Sequence, residues 1–235
     1  MKPLFIIPAR GGSKGIPHKN IKELCGKPLL HYTIEHARAV CADDSRIVLS
    51  TDDPAIADCA RKAGLAVPYM RPAHLATDTA GSREVMLHAM DWADSQGLDY
   101  DCVVLLQPTS PLRQPGDICG AMNLYRSDID MVVSVCESAS NPYYTCYEAE
   151  GADGYLHISK GDGLYTRRQD CPKVWEYNGA VYVINPDSLR RCPMGAFERR
   201  LPFVMDRNRS HDLDTPLDWM VVEAVMNYNR QPNGH

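Results

Sequence analysis

Leu4-Phe5-Ile6-Ile7-Pro8-Ala9-Arg10-Gly11-Gly12-Ser13-Lys14-Gly15-Ile16-Pro17-His18-Lys19-Asn20 is the stretch whose reading decides the fold. The run from Leu4 to Pro8 is apolar and short, which suits a buried strand, and the glycines, serine and proline that follow cannot continue it. The strand therefore ends in a loop. Arg10, Lys14 and Lys19 stand there among glycines that let backbone N–H groups approach a ligand, a combination suited to a polyphosphate. Neither G-x-x-x-x-G-K-[ST] nor G-x-G-x-x-G can be written over the loop, which removes the P-loop and the dinucleotide fingerprint. A basic surface turn is the plain alternative. Against it stands position, since open α/β sheets bind ligands outside the carboxyl ends of their strands.

A chain of 235 residues and 44% hydrophobic content can bury a full core, as one large α/β domain or as a domain with a sizeable insertion. The net charge of −5, from 25 Lys+Arg against 30 Asp+Glu, argues against a general nucleic-acid binder or an anionic-membrane binder, so any anion site is local. The nine cysteines are scattered without a C-x-x-C pair, which indicates neither a zinc site nor a disulfide framework. No stretch reads as a signal-peptide core or a membrane span, and a reducing cytoplasm is the expected compartment.

Outward from the loop, Lys27-Pro28 opens a helical pattern through Leu29, Leu30, Thr33, Ile34, Ala37 and Val40. Residues 47–51 read as a second strand. Asp52-Asp53-Pro54 then starts a helix closed by Gly64, and capping accounts for both carboxylates without a metal. Residues 65–70 read as a third strand. After it a small, hydroxyl-rich turn runs from Arg71 through Thr77, Asp78, Thr79 and Ala80 to Ser82, ahead of a helix with Val85, Met86, Ala89 and Trp92. Free N–H groups in such a turn suit the edge of a base; N-capping by Thr79 or Ser82 is the alternative. Residues 101–106, strongly apolar and hence central, end in Gln107-Pro108-Thr109-Ser110-Pro111-Leu112-Arg113, which places a neutral amide where it can meet sugar hydroxyls. A helix over 116–126 and a strand over 131–135 follow.

Residues 137–177 break the pattern, with tyrosines 143, 144, 147, 155 and 165, glycines 151, 154, 161 and 163, and no long apolar period. A segment of this kind is a lid, an oligomer arm or a hairpin excursion. Asn178-Gly179-Ala180 leads into a strand over 181–184. In Ser210-His211-Asp212-Leu213-Asp214-Thr215-Pro216-Leu217-Asp218, Asp212 and Asp214 are two apart, so in extended backbone they share a side while Leu213 points to the core. Two such carboxylates repel unless a cation lies between them, and Mg²⁺ takes one or two carboxylates with phosphate oxygens and water. Asp218, three residues past Thr215 with Pro216 between, reads as a helix cap.

The loop of residues 8–20, the Arg71-Pro72 turn, Leu106-Gln107-Pro108-Thr109-Ser110-Pro111-Leu112-Arg113, Asn178-Gly179-Ala180 and Asp212-x-Asp214 together resemble the acylneuraminate cytidylyltransferases, the CMP-sialic acid synthetase family, from Ile6 to about Val225. The resemblance implies an α/β, three-layer fold with a mostly parallel twisted sheet, Rossmann-like and of the nucleotide-diphospho-sugar transferase type. It implies one cytidylyltransferase domain over 1–235, with 137–177 a small dimerisation insertion that also contacts the sugar. CTP would be bound by Ala9, Arg10, Gly11, Gly12, Ser13, Lys14, Lys19, Asn20, Arg71, Ala80 and Ser82, and the sugar by Gln107, Arg168, Asn178 and Gly179. Mg²⁺ or Mn²⁺ would sit on Asp212 and Asp214, and these two with Arg10 and Lys19 would carry the reaction. That reaction is transfer of CMP from CTP to the anomeric hydroxyl of a nine-carbon 2-keto sugar acid, releasing pyrophosphate. The implied partners are CTP, a nonulosonic acid and a second copy of the chain.

Tyr143-Tyr144 stands where some members of the family have Lys, which leaves the sugar open among sialic acid, legionaminic acid and KDN. A CMP-Kdo or pseudaminic acid type of enzyme is the nearest alternative. A sugar 1-phosphate nucleotidyltransferase shares the architecture but not this combination of motifs. A GT-A glycosyltransferase would not need a triphosphate loop at its first strand, and a non-catalytic nucleotide sensor would be expected to lose its metal carboxylates.

Overall fold

Leu4 and Ile6 of the first strand face one side of a sheet and Phe5 and Ile7 the other, as a period of two requires, and all four are buried. The structure, a computed structural model, describes residues 1–77, 79–149 and 154–230; Asp78 of the hydroxyl-rich turn and residues 150–153 of the excursion, Gly151 among them, lie outside the described residues. In chain order the elements are β1 (Pro3–Pro8), β2 (Glu23–Leu24), β3 (Lys27–Pro28), α1 (Leu29–Val40), β4 (Ile47–Ser50), α2 (Pro54–Lys62), α3 (Ser82–Ser95) and β5 (Cys102–Leu105). They continue with α4 (Pro115–Leu124), β6 (Met131–Glu137), β7 (Tyr147–Ala149), β8 (Leu156–Ile158), β9 (Trp175–Ile184), α5 (Pro186–Arg191), β10 (Arg200–Val204) and α6 (Pro216–Arg230).

The main sheet has the order β10-β6-β9-β5-β1-β4, parallel throughout except for β9. Helices α1, α2 and α4 cover one face, with Leu30, Ile34, Ile56 and Ile118 against Phe5, Ile7 and Val104. On the other, α3 and α5 set Met86, Met90 and Leu189 against Leu4, Ile6, Val103 and Leu105. This is the expected three-layer α/β architecture. Because β1 pairs with β4 on one flank and β5 on the other, the chain changes direction across the sheet at β1, and a crevice opens at the carboxyl ends of β1 and β5. A third cluster, under α6, buries Trp219, Val222 and Met226 with Ile16 of the first loop and Leu213.

Several local expectations change. Residues 65–70 run past the sheet edge without joining a ladder, because Pro68 has no N–H to give; contact resumes where Arg71 N donates to Thr51 O at 2.7 Å. The strand expected over 181–184 begins at Trp175, inside the excursion, and runs antiparallel between β5 and β6 with a register shift opposite Val133–Val135. Neither β10 nor α5 has a strong signature: β10 carries Pro202 and half-exposed side chains, and α5 is a six-residue helix capped by Asn185. The rest of the excursion is a separate β7–β8 hairpin and a short helical turn at Arg168–Asp170.

Candidate active site

The first loop is tied down by its own glycines and by its neighbours. Asn20 Nδ2 donates to Arg10 O at 3.0 Å, and Gly11 N donates to Asp52 Oδ1 at 3.1 Å. A Cβ on Gly11 would lie 2.7 Å from Asp53 Oδ2, and one on Gly15 would run into the carbonyl oxygen of Asp214. These two glycines are therefore required by protein packed against them, and the Gly11 N–H points at Asp52 and not at a ligand. Ala9 is wholly buried with its N–H on Ser50 O at 2.9 Å. A Cβ on Gly12, by contrast, would meet nothing within 4 Å. As capping implied, Asp53 accepts from Ala55 N at 2.8 Å at the head of α2.

A cavity of about 300 Å³ lies between this loop and the end of β5, lined by Arg10, Ser13, Lys19, Asn20, Arg71, Ala80, Ser82 and Gln107 together with Thr77 and Thr109. Residues expected for nucleotide from two separate stretches thus meet in one place, with Gln107, expected for the sugar, beside them. Gly11, Gly12 and Lys14 do not line it. Arg10 Nη1 reaches across to Thr77 O at 3.1 Å. Arg71 is buried, with Nε on Ser50 Oγ at 3.1 Å and Nη2 on Ser50 O, and burial pushes its pKa down. The capping alternative for Ser82 is not taken: Gly81 occupies the N-cap without a side-chain bond, and Ser82 opens α3 facing the cavity.

A second cavity of about 250 Å³ adjoins the first and shares Ser82 and Gln107 with it; Leu105, Met131, Tyr177, Tyr182, Met194, Gly195 and Arg200 complete its wall. Sequence reasoning missed Tyr177, Tyr182, Met194 and Arg200, which come from β9, the turn after α5 and β10 and meet only through the crossing of the sheet. The one local signal was Tyr182, a polar tip in the apolar run of residues 180–184. Burial pushes its hydroxyl up to about 12, with Asp212 adding to the effect, so it remains a neutral donor.

Three of the expected sugar residues line neither cavity. Asn178 is 6% exposed; it accepts from Ser134 Oγ at 2.6 Å and from Ala180 N at 3.2 Å, and donates to Ser210 Oγ at 2.9 Å. Its amide holds the β9 bulge together and lines neither cavity. Gly179, at φ 72°, is where Gln107 passes: a Cβ there would lie 3.2 Å from Gln107 Oε1 and would need a strained backbone. Arg168 donates to Ser138 O at 2.9 Å on the excursion and stands at neither cavity within one chain.

The acidic loop hangs from Leu213, which is fully buried with N on Thr109 O at 2.9 Å. Lys19 Nζ donates to Leu213 O and lies 3.3 Å from Asp214 Oδ1. Asp212 turns inward: burial pushes its carboxyl pKa up and Asp214 adds to that, while the Thr109 hydroxyl and Lys19 oppose it, and Oδ1 has no partner. The Asp214 side chain is 72% exposed. An orphaned buried carboxylate oxygen beside a second carboxylate fits a divalent cation. Among the described residues no third His, Cys, Asp or Glu joins them, a donor set that suits Mg²⁺ completed by phosphate oxygens and water. Asp218 Oδ2 accepts from Thr215 N at 2.6 Å and from Asp214 N at 3.1 Å, and Thr215 Oγ1 accepts from Asp218 N at 3.3 Å. It is the cap of α6. All nine cysteines are unpaired, and no described helix is long and apolar enough to cross a membrane.

A sheet whose crevice holds two adjoining cavities beside an acidic loop can seat two substrates side by side; the class of protein follows from its relatives, which make it a nucleotidyltransferase. The sequence profile described as Cytidylyltransferase matches residues 4–211, and the chain belongs to that family. It is 32% identical over 233 residues to the CMP-N,N'-diacetyllegionaminic acid synthase of Legionella pneumophila, covering 98% of this chain and 99% of that one. It is 36% identical over 225 residues to the N-acylneuraminate cytidylyltransferase of Streptococcus agalactiae, covering 94% of this chain but 52% of that protein. A pseudaminic acid cytidylyltransferase of Campylobacter jejuni is 32% identical over 232 residues, with 98% and 99% covered. Among solved structures, a CMP:2-keto-3-deoxy-manno-octonic acid synthetase complexed with CTP superposes with a TM-score of 0.70 at 19% identity, covering 97% of this chain and 100% of that one, which supports the fold.

Proposed function

We propose that this enzyme transfers CMP from CTP to the anomeric hydroxyl of a nonulosonic acid and releases pyrophosphate. The observation that carries the reading is the pair of adjoining cavities that share Ser82 and Gln107, one lined by cations and one by tyrosines. CTP occupies the first, with Arg71 and the open N-terminus of α3 at its base and Arg10, Ser13 and Lys19 at its phosphates. The sugar acid occupies the second, with Gln107 between the two, so the attacking hydroxyl meets the α-phosphorus at the shared wall. Arg10 and Lys19 stabilise the charge that grows on departing pyrophosphate. Asp212 and Asp214 would hold Mg²⁺ or Mn²⁺, which when bound neutralises phosphate charge and acidifies a coordinated hydroxyl. The relatives named for legionaminic, neuraminic and pseudaminic acids support this class of acceptor.

The enzyme works in the cytoplasm as a two-fold dimer whose excursion brings Arg168 to the partner's sugar. Following pyrophosphate release from CTP and Mg²⁺ with a panel of nonulosonic acids tests the reading. Turnover with at least one is expected; turnover only with UTP and glucose 1-phosphate would replace it by a sugar 1-phosphate enzyme.

A further inference from the structure

Strands β5 and β9 pair antiparallel as far as Leu105 and Tyr182. Two steps further along the same register Gln107 would face Ala180, yet the ladder has stopped. In its place stands Arg113, whose Nη1 donates to Gln107 O at 3.2 Å and to Ala180 O at 2.7 Å. Its Nη2 donates to Thr33 Oγ1 of α1 at 3.0 Å, and its Nε is buried without a partner. The side chain is 1% exposed.

Among the described residues no carboxylate lies within 4.0 Å of this guanidinium. Asp117, the acid that opposes the effect of its burial, is already engaged by Arg209 at 2.7 Å and by Gln114 N at 2.8 Å. A buried cation without an ion-pair partner is costly, and Leu or Met would fill such a space with less penalty. What hydrocarbon cannot supply is a set of donors for two carbonyls that have lost their ladder, and a positive charge. Both act at one place, since Gln107 is shared by the two cavities and its Oε1 lies over Gly179.

We propose that Arg113 is a positioning residue for the acceptor: standing where the β5–β9 ladder stops, it sets the gap between Gln107 and Ala180, aims the Gln107 amide into the junction of the cavities and puts a buried positive charge behind the subsite of an anionic sugar acid. The inference rests on the proposed function for its substrate. It assigns Arg113 to the acceptor through Gln107, because the nucleotide loop and Arg71 make their own bonds without it.

The test is steady-state kinetics on the full chain and on Arg113→Lys, Arg113→Met and Thr33→Val, titrating CTP and the acceptor separately, with CTP affinity measured by calorimetry. Arg113→Lys, which keeps the charge and loses the fork, raises the acceptor KM about tenfold while CTP KM and Kd stay within about twofold. Arg113→Met raises the acceptor KM further. Thr33→Val, which keeps the guanidinium and releases one end, moves it about threefold in the same direction. A residue that served the fold alone would lower the melting temperature and the active fraction and leave both KM values in place, and that result overturns the proposal. Should both Arg113 variants fail to fold, Thr33→Val decides on the same criterion. A wild-type protein that turns over no sugar acid overturns the functional reading itself; turnover by the wild type with an unmoved acceptor KM in Arg113→Lys overturns only the role given to Arg113.

Discussion

The crevice end of the sheet and the excursion between β6 and β9 are built on opposite terms. At the crevice, stretches far apart in sequence hold one another: Lys19 on Leu213 and Asp214, Gly11 on Asp52, Leu213 on Thr109. Their apolar anchors, Ile16 and Leu213, are buried. In the excursion the hairpin's bonds are local, such as Ser159 N to Cys146 O at 3.0 Å and Lys160 N to Pro142 O at 2.9 Å. Its large side chains face outward: Tyr147, Tyr155, Leu156 and Leu164 are 55, 69, 67 and 77% exposed. Surface of that kind, gathered on one arm, is the feature on which the proposed dimer rests. The crevice is thus held together within one chain, whereas the excursion turns large apolar side chains outward, which is what the proposed dimer would cover.

The sharpest separation of function from folding at the crevice is Asp212→Asn, which lowers turnover by about a hundredfold or more. Its melting temperature without metal stays level or rises, because burial disfavours the charge that the substitution removes. The sign in pH follows. A carboxyl whose folded pKa is raised above its usual 3.8 binds its proton more tightly in the folded state, so the metal-free protein loses stability as pH rises from there through the raised value. Asp212→Asn removes that slope; a lowered melting temperature in the variant would make Asp212 a structural residue.

The excursion is broken by Leu156→Asp with Leu164→Asp, which converts the proposed dimer to monomer in sedimentation and cuts turnover about tenfold at micromolar protein, while circular dichroism of the chain is unchanged. Full activity in a monomer would return the excursion to the status of a surface loop. Of similar size is Arg10→Ala, which raises the CTP KM about tenfold and leaves the acceptor KM nearly in place. Equal change in both constants would mean that the loop acts on the whole site and not on the phosphates.

The smallest expected effect belongs to the acidic residue beside Asp212 and Asp214. Asp218→Ala removes the bonds from Thr215 N and Asp214 N and costs about 1 kcal/mol in denaturant unfolding, with turnover held within about threefold. A hundredfold loss of turnover with unchanged stability would exchange the roles of Asp218 and Asp214.

By itself the sequence determined what neighbouring residues settle among themselves. The strand Leu4–Pro8 and the stop after it follow from a run of apolar side chains meeting glycine and proline; the cap at Asp53 follows from an acid placed directly before Pro54, and that at Asp218 from an acid three residues past Thr215 with Pro216 between. The motifs also named Arg10, Arg71, Ser82 and Gln107, which the crevice does bring together. Only the tertiary structure decided that residues 65–70 stay unpaired, that β9 enters antiparallel between β5 and β6, that Asn178 turns inward, and that a guanidinium stands where the β5–β9 ladder stops. The physical reason is that a period of two or 3.6 tells which face of an element is apolar but not which strand will lie beside it. Partners such as Arg113 and Ala180, or Lys19 and Leu213, are chosen by the packing of distant segments, and no local pattern carries that choice.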